Sequence, residues 1–311
     1  MAPFAWAIRM IDTTIAAQAE ERRAIRKTTV PARTAYTAAR RAANRDRDTE
    51  RLRYAEQYRG PLQIPHADGY LRLPPGPLAD VVGPVVAAGN ALIDQIGHDA
   101  LVAGGRKGDA VAREFLPASA FAIDSPYFRL AVDERVVGPI AAYLGVLPVV
   151  TEIDLWYSVH HPRAPKSAQL WHMDPEDTTQ IKLWVHLSDI GPLSGPLTGL
   201  NATDSAALAE AVHYNYGDGY RVPDDRVAPL FGPDRHVAFK GPAGTADFID
   251  TSRCFHFGSR VSPGGAPRRA LVIQYQTPYA LNFTNYLKEA PYRALVTPSS
   301  ARLQTLVLGA A

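Results

Sequence analysis

The sequence predicts a mainly β fold, a barrel or sandwich, supported by a helical buttress. Two observations favour this α+β class. Helical patterns dominate the first half of the chain, whereas the part after Pro148 holds several short alternating segments bounded by Gly or Pro. Helices followed by many antiparallel-looking strands with long loops are typical of such a fold.

The N-terminal part predicts helices. Ala, Arg and Glu dominate residues 5–59, Gly is absent before Gly60, and Pro31 would divide the run in two. We expect residues 1–60 to form an architectural helical extension, packed on the barrel or across a homodimer contact. Residues 61–311 would form the main domain with its flanking helices. An arginine-rich arm that binds a partner is the alternative interpretation.

The remaining elements follow in order. A short strand, a Pro/Gly turn and a helix are indicated in DGYLRLPPGPLADVVGPVVAAGNALIDQI, and a second helix, LAVDERVVGPIAAYLG, ends at Gly145. The predicted strands are TEIDLWYSVH, QIKLWVHLSD, HVAFK, TADFID and RALVIQYQ. In the second of them one face carries Gln180, Lys182, Trp184 and His186, and it either lines a cavity or meets solvent.

Composition limits the classes of function. The chain has 311 residues, of which 46% are apolar, so it can bury a sizeable core, and its net charge of +2 gives no indication of nucleic-acid or membrane binding. The single cysteine, Cys254, excludes an internal disulfide framework. Arg9 and Asp12 interrupt the first apolar run, unlike in a signal peptide, and no window offers about 18 uncharged apolar residues. We expect a cytoplasmic protein.

The motif with the clearest chemistry is Trp-His172-Met-Asp174. Residues i and i+2 of a strand point to the same face, so His172 and Asp174 would present an imidazole and a carboxylate to one point. A second histidine would complete the two-His-one-carboxylate set that binds Fe(II) and leaves three positions open. His-Xaa-Asp alone recurs by chance in about every second chain of this size. The assignment therefore depends on the elements that accompany it.

Two such elements follow. The segment GPAGTADFIDTSRCFH is a Gly-rich turn and a strand that presents His256 at its far end, and a barrel can bring it beside Asp174. Asp250 in the same segment is the weaker candidate for the carboxylate ligand. The strand RALVIQYQ opens with Arg268 and Arg269, and a guanidinium there can bind a carboxylate with two parallel hydrogen bonds.

Together these motifs resemble the phytanoyl-CoA dioxygenase (PhyH) family of Fe(II)/2-oxoglutarate oxygenases. The resemblance covers residues 68 to about 278 and leaves 1–60 outside. The matching segments are, in order, DGYLRLPPGPL, DERVVGPIAAYLG, QLWHMD, IKLWVHLSDIGPLSGPL, GTADFIDTSRCFHFGS and PRRALVIQYQ. It implies a double-stranded β-helix, the jelly-roll or cupin-like core.

The resemblance also implies site residues and cofactors. Iron would be held by His172, Asp174 and His256, which would be the catalytic group, and O₂ would react there. Arg268 would bind the distal carboxylate of 2-oxoglutarate. Arg269 is the alternative, because a shift of one residue exchanges the faces of a strand, and Ser259 could hold the same carboxylate.

The chain departs from the family pattern at two places. An extra residue, Phe257, follows His256 where members often have His-Gly-Ser, and TGLNATDSAALAEAV replaces a common Pro-Gly-Ser-His run. Three aromatic residues, Trp156, Trp171 and Trp184, flank the predicted site. They would contact an apolar or ring-containing substrate, as would Lys182, or else belong to the core.

The implied reaction oxidises a small organic molecule, such as a natural product, and releases succinate and CO₂. Asp174 stands where related halogenases have a small residue, so hydroxylation is favoured over halogenation, and desaturation, epimerisation and ring formation remain open. The alternatives are a non-catalytic metal-binding or partner subunit of the same fold and a cupin-like metal dioxygenase that does not use 2-oxoglutarate.

Overall fold

The computed structural model describes residues 17, 19–103, 112–283 and 290–310, with side chains of 112–115 excepted. Its helices are α1 (described over 19–26), α2 (Val30–Ala43), α3 (Thr49–Gln57), α4 (Ala79–Ile96), α5 (His98–Ala103), α6 (Pro126–Ala131), α7 (Glu134–Leu144), α8 (Ala202–Ala211), α9 (Asp224–Val227) and α10 (Arg302–Val307). Its strands are β1 (Tyr70–Leu73), β2 (Ala112–Phe115), β3 (Val149–Ser158), β4 (Gln180–His186), β5 (Thr198–Gly199), β6 (Val237–Ala238), β7 (Ala246–Asp250), β8 (His256–Phe257) and β9 (Arg268–Gln276).

The strands form two antiparallel sheets. The main sheet has the order β1-β7-β4-β9-β3-β2, and the minor sheet has the order β6-β5-β8. Isolated bridges extend the minor sheet, among them His172–His256 and Ser194–Val261. Non-consecutive strands lie side by side, as in a double-stranded β-helix, and so bring distant parts of the sequence together.

The alternation of the strands divides the interior of the molecule. On one face of the main sheet, Leu183 and Ile273 join the largest apolar cluster, to which α4 and α7 contribute Val85 and Ile140. Gly89 lets α4 approach this face, because a Cβ there would lie 2.8 Å from Leu187 Cδ1. The other face of the sheet carries the polar and aromatic side chains that surround the candidate site.

Arginines join the N-terminal helices to the barrel. Arg40 on α2 donates to the carbonyls of Tyr279, Ala280 and Phe283. Arg51 on α3 donates to the carbonyls of Leu147, Pro148 and Leu306. Since these acceptors belong to loops and to α10, the two helices fix parts of the chain that follow much later in sequence.

The predicted fold class, a double-stranded β-helix with a helical buttress, is confirmed. Pro31 lies in the first turn of α2, where its missing N–H costs no hydrogen bond. The run TGLNATDSAALAEAV forms β5 and α8, which begins after Asn201 because the Asn201 side chain accepts from Asp204 N at 2.7 Å. The division at residue 60 stays a prediction, and residues 1–16 and 18 of the predicted extension lie outside the described residues. Among the described helices, none combines the length and apolar character needed to cross a membrane.

Candidate metal centre

Two histidines lie side by side because the segments that carry them pair directly. His172 N donates to His256 O at 3.0 Å, and His256 N donates to His172 O at 2.9 Å. The two ring centroids are 4.3 Å apart. Alternation along the first segment sends Trp171 and Met173 into a separate apolar cluster and leaves His172 and Asp174 on the opposite side.

Asp174 completes a group that could hold a metal ion. Its Oδ1 lies 3.6 Å from His172 Nε2 and 3.8 Å from His256 Nε2. One ligand atom from each residue lies within 4.8 Å of the others, and this is the one such group found among the described residues. His172, Asp174 and His256 are 4%, 7% and 6% exposed, so protein atoms and not bulk water surround the group.

Hydrogen bonds to the backbone fix the tautomers of both histidines. His172 Nδ1 lies 2.8 Å from Leu170 O, and His256 Nδ1 lies 3.0 Å from Cys254 O. A carbonyl accepts only, so each Nδ1 carries the hydrogen and each Nε2 keeps its lone pair. Metal-ligating histidines are oriented in this way.

Burial and neighbouring charges favour the protonation states of His172, Asp174 and His256 that bind a metal cation. Burial lowers the pKa of His172 well below its usual value, and the nearby His256 lowers it further. Burial also lowers the pKa of His256. For Asp174 burial acts to raise the pKa, but Lys182 and the two histidines outweigh it and hold the carboxyl pKa below its usual range. Unprotonated imidazoles and an ionised carboxylate are the forms that bind metal.

The second oxygen of Asp174 faces away from the histidines and has its own partners. Lys182 Nζ lies 3.0 Å from Oδ2, and Gln180 Nε2 donates to the same atom at 3.3 Å. Lys182 was predicted to contact substrate. The structure pairs it with Asp174, a predicted metal ligand, because Lys182 projects from the polar face of β4. Its contact with substrate stays a prediction.

A buried arginine lies on the same face. Arg268 is 1% exposed, and its Nη2 donates to Ser259 Oγ at 2.9 Å and to Ser158 Oγ at 3.4 Å. Its Nε is buried without a hydrogen-bond partner, and among the described residues no carboxylate pairs with it. Burial lowers the pKa of Arg268 to about 10. A buried cation with so few partners is costly unless an anion joins it.

Gly258 lies against the guanidinium without a side chain. A Cβ there would be in van der Waals contact with it, 3.5 Å from Arg268 Nη1 and 3.7 Å from Nη2. Ser259 adopts a left-handed φ of 60°, which few residues other than glycine accept, and Gln169 Nε2 holds its carbonyl at 2.9 Å. Trp184 borders the same position, with the guanidinium carbon 5.2 Å from its ring centroid.

The other predicted site residues lie in different places. Arg269 projects from the opposite face of β9, where it donates to Asp94 at 2.8 Å and to Asn90 at 3.1 Å, so it does not share the cavity with Arg268. Trp156 packs against Trp184 on the cavity face, with centroids 5.3 Å apart.

Trp171 needs a correction, because the structure places it away from the cavity. It packs against His236 and Phe257 in the separate cluster, with centroids 4.9 Å and 4.7 Å away. This position agrees with the core alternative for Trp171, since neighbours in a strand face opposite ways. Asp250 also lies apart from the metal group. It accepts from Tyr143 Oη at 2.9 Å and from the backbone of Ser252 at 3.1 Å.

Four further residues matter that the sequence did not reveal as site residues. Ser158 pairs with Arg268 across β3 and β9, and a Cβ at Gly258 would contact its guanidinium. The sequence places Gln180 on the same strand face as Lys182, but it does not show that Gln180 donates to Asp174. Arg33 on α2 donates at 2.9 Å to the carbonyls of Pro175 and Asp177, directly after the ligand Asp174.

Comparison with known proteins gives likenesses in fold. No family model and no curated protein matches the sequence, so the resemblance to the phytanoyl-CoA dioxygenase family stays a prediction. Among solved structures, EctD from S. alaskensis in its apoform is 22% identical over 68% of this chain and 74% of that chain, with a TM-score of 0.49. The non-heme alpha ketoglutarate dependent epimerase SnoN from nogalamycin biosynthesis is 20% identical over 72% and 82%, also at 0.49.

A third solved structure, AviO1 from Streptomyces viridochromogenes, is 22% identical over 74% of this chain and 96% of that chain, with a TM-score of 0.43. EctD has been crystallised with bound Fe and with 2-oxoglutarate and 5-hydroxyectoine, and SnoN with Fe³⁺ and alpha ketoglutarate. At this level of identity and overlap, these likenesses say nothing about the activity of the present chain.

Proposed function

We propose that the protein is an Fe(II)- and 2-oxoglutarate-dependent oxygenase that oxidises a small organic molecule. The observation that carries the proposal is the guanidinium of Arg268. It is a buried cation with two hydroxyl partners and, among the described residues, no carboxylate. It lies on the same face of the main sheet as the side chains that surround the metal group. A candidate metal centre and a buried guanidinium on the same face of the sheet suit a co-substrate that binds metal at one end and carries a carboxylate at the other.

The residues present fit iron. Two imidazole nitrogens and one carboxylate oxygen are the ligand set of non-haem Fe(II) oxygenases, and they leave three positions open. The bonds from Nδ1 of His172 and His256 to backbone carbonyls leave both Nε2 lone pairs for the metal. Asp174 would supply the third ligand through Oδ1.

The residues present also fit 2-oxoglutarate. Arg268 would bind the distal carboxylate with its planar fork, and Ser259 and Ser158 would donate hydroxyl hydrogens to it. Gly258 brings no side chain against the guanidinium, where a Cβ would contact it. Trp184 would limit the space beside the carboxylate and exclude water.

Iron, 2-oxoglutarate and O₂ together supply a two-electron oxidation of an unactivated C–H bond, with release of succinate and CO₂. The protein holds these groups in place. His172, Asp174 and His256 would hold the metal, Arg268 would hold the far end of the co-substrate, and the low exposure of all four residues would limit access of water. Trp156 borders the same side of the cavity and would contact substrate.

The presence of Asp174 favours oxygenation over halogenation. A halide ligand needs a vacant metal position, and the carboxylate takes that position. Hydroxylation or desaturation of a small substrate such as a natural product is therefore the proposed outcome. A cytoplasmic location and a homodimer through the N-terminal helices stay predictions from the sequence.

Two other functions make different predictions about co-substrate binding. A non-catalytic partner subunit could bind metal without responding to 2-oxoglutarate. A cupin-like dioxygenase of another class would need no cation for a distal carboxylate. Neither function explains why the buried guanidinium of Arg268 pairs with two serine hydroxyls and, among the described residues, with no carboxylate.

The test is an anaerobic titration of the Fe(II)-loaded protein with 2-oxoglutarate. A visible metal-to-ligand charge-transfer band should develop and saturate, and O₂ should then convert 2-oxoglutarate to succinate. Arg268→Lys should weaken binding of 2-oxoglutarate by about tenfold or more, because an ammonium is a point charge without a fork. Arg269→Lys is the matched control. Absence of the band from the iron-loaded protein would refute the proposal.

A further inference from the structure

We infer that Lys182 and Gln180 are positioning residues that keep Asp174 a single-oxygen ligand. The inference rests on the proposed function, since it concerns the metal that Asp174 would bind. Lys182 Nζ lies 3.0 Å from Asp174 Oδ2, and Gln180 Nε2 donates to that oxygen at 3.3 Å. The other oxygen, Oδ1, is the one near the histidines, at 3.6 Å and 3.8 Å from their Nε2 atoms.

Further contacts restrain Gln180 and Lys182, the two residues that bind Asp174 Oδ2. Gln180 is fully buried, and its Nε2 also donates to Thr251 Oγ1 at 3.0 Å. Its Oε1 accepts from Gln276 Nε2 at 3.0 Å. The amide therefore cannot turn without losing three hydrogen bonds. Lys182 follows two residues later on the same strand, and its side chain is 13% exposed.

The backbone restrains the carboxylate from its other end. Asp174 N donates to Thr251 O at 2.7 Å, and Ser252 Oγ donates to Asp174 O at 3.1 Å. The side chain can rotate, but its backbone cannot shift freely. Little water reaches the site, so a lost donor to Oδ2 would not be replaced easily. Rotation of Oδ2 towards the metal would then become favourable.

Such a rotation would change how many metal positions are open. A carboxylate can bind with one oxygen or with two. Two histidines and one oxygen leave three positions of an octahedron, of which 2-oxoglutarate takes two and O₂ takes one. A second oxygen from Asp174 would occupy one of these three. Lys182 and Gln180 therefore preserve the vacancy that the reaction needs.

The experiment uses Co(II) in place of iron, because Co(II) is stable to redox change and its visible spectrum reports its coordination. Wild type is compared with Lys182→Met, which removes the cation and the donor, and with Lys182→Arg, which keeps both. Lys240→Met, at an exposed lysine, is the control for loss of one positive charge. The visible spectrum and the Co(II) affinity are measured first without 2-oxoglutarate, and the affinity for 2-oxoglutarate afterwards.

We expect Lys182→Met to change the spectrum before any co-substrate is added and to bind Co(II) at least as tightly as wild type. It should bind 2-oxoglutarate about tenfold more weakly, the usual size of an effect on ligand support. Lys182→Arg should restore the wild-type spectrum. A crystal structure of the Co(II)-loaded Lys182→Met variant should place both oxygens of Asp174 on the metal.

An unchanged metal-only spectrum would overturn the inference, even if 2-oxoglutarate affinity fell, because Lys182 would then contact the co-substrate directly. If Lys182→Met does not fold, Gln180→Met decides. It removes the second donor to Oδ2 and should cost about threefold in 2-oxoglutarate affinity, together with a smaller spectral change, and no change in either would overturn the inference.

Failure of the proposed function gives a separate result. In that case wild-type protein would bind Co(II) without any response to 2-oxoglutarate. The spectral difference between wild type and Lys182→Met in the absence of co-substrate would still report the position of Asp174.

Discussion

Arginine serves the N-terminal helices and the cavity in different ways. Arg51 on α3 is 2% exposed and donates to the carbonyl oxygens of Leu147, Pro148 and Leu306. Arg268 on β9 is 1% exposed and donates to two serine hydroxyls, and its Nε is buried without a partner. Both guanidinium groups lose water on folding, but Arg51 gains more protein hydrogen-bond acceptors in its place than Arg268 does.

The difference separates architecture from ligand binding. A buried guanidinium whose hydrogens reach backbone carbonyls stabilises the loops that carry those carbonyls. A buried guanidinium with fewer partners costs stability until an anion arrives, and such a cost is acceptable where a ligand offsets it. Removal of Arg51 should therefore lower the free energy of unfolding, whereas removal of Arg268 should weaken ligand binding.

The largest expected effect is on co-substrate binding. Arg268→Met should weaken 2-oxoglutarate binding to the metal-loaded protein by about 1,000-fold, or about 4 kcal/mol, because it removes one partner of a buried charge pair. The free energy of unfolding without co-substrate should stay the same or rise, since an uncompensated buried cation is removed. Calorimetric titration and urea unfolding measure the two quantities. A clear loss of stability in the ligand-free protein would place Arg268 with the structural arginines.

Arg51→Met should show the reverse pattern. The variant leaves carbonyl groups of Leu147, Pro148 and Leu306 without a buried donor, so the free energy of unfolding should fall by about 3 kcal/mol. The folded fraction should bind 2-oxoglutarate as tightly as wild type. Urea unfolding at a temperature where the variant is folded provides the value. Weaker co-substrate binding at unchanged stability would contradict the architectural role of α3.

Arg33 on α2 should combine both kinds of effect. It donates to the carbonyls of Pro175 and Asp177, and its guanidinium carbon lies 3.5 Å from the centroid of Tyr216. Arg33→Met should lower the free energy of unfolding by about 2 kcal/mol. Because Pro175 follows Asp174, it should also weaken Co(II) binding several-fold. Unchanged metal affinity would show that α2 supports the fold without supporting the ligand loop.

Burial acts on the ligand histidines as it does on Arg268, by disfavouring the charged form. In the folded protein the pKa values of His172 and His256 lie below the usual 6.5. At pH values between each lowered pKa and 6.5, the unfolded chain therefore binds more protons than the folded one. The stability gained from neutral histidines is complete above pH 6.5 and is lost as pH falls through the lowered values.

The histidine effect has to be measured as a difference between two proteins, because buried carboxyls act in the opposite direction. Burial raises the pKa of Glu176, that of Asp177 to about 6 and that of Asp250 to about 7, so their protonation stabilises the fold as pH falls. Metal-free wild type should lose more stability between pH 7 and pH 5 than the double variant His172→Asn, His256→Asn. Parallel pH profiles of the two proteins would show that the histidines do not titrate in this window.

The sequence predicted the parts of the site that depend on local periodicity. The alternation in QIKLWVHLSD and RALVIQYQ indicated β4 and β9, and the spacing of His172 and Asp174 put both on one side of a strand. The same rule applied to Trp171 would have placed it in the core. The partners of these residues could not be predicted, since Ser158 meets Arg268 through the register of β3 against β9.

The contacts of Arg51 and Arg33 could not be predicted from the sequence either. Both lie in an arginine-rich stretch whose composition suits a solvated helix face. Their acceptors are backbone carbonyls, which carry no sequence signature, and they become neighbours only when α2 and α3 pack on the barrel. An arginine in a stretch whose composition suits a solvated helix face can therefore be among the most buried in the protein.

The smallest expected effect belongs to Arg269, beside Arg268 in sequence. Its guanidinium faces the outer side of the main sheet, pairs with Asp94, and is 29% exposed. Water and ions screen such a pair, so Arg269→Lys should change the free energy of unfolding by less than about 1 kcal/mol. It should leave 2-oxoglutarate affinity within about twofold of wild type, because the side chain does not reach the cavity. The same substitution at Arg268 changes the same chemistry one position away on the opposite face. If Arg269→Lys weakened 2-oxoglutarate binding and Arg268→Lys did not, the register of β9 would be shifted by one residue, and the contrast between buried arginines would have to be drawn again around Arg269.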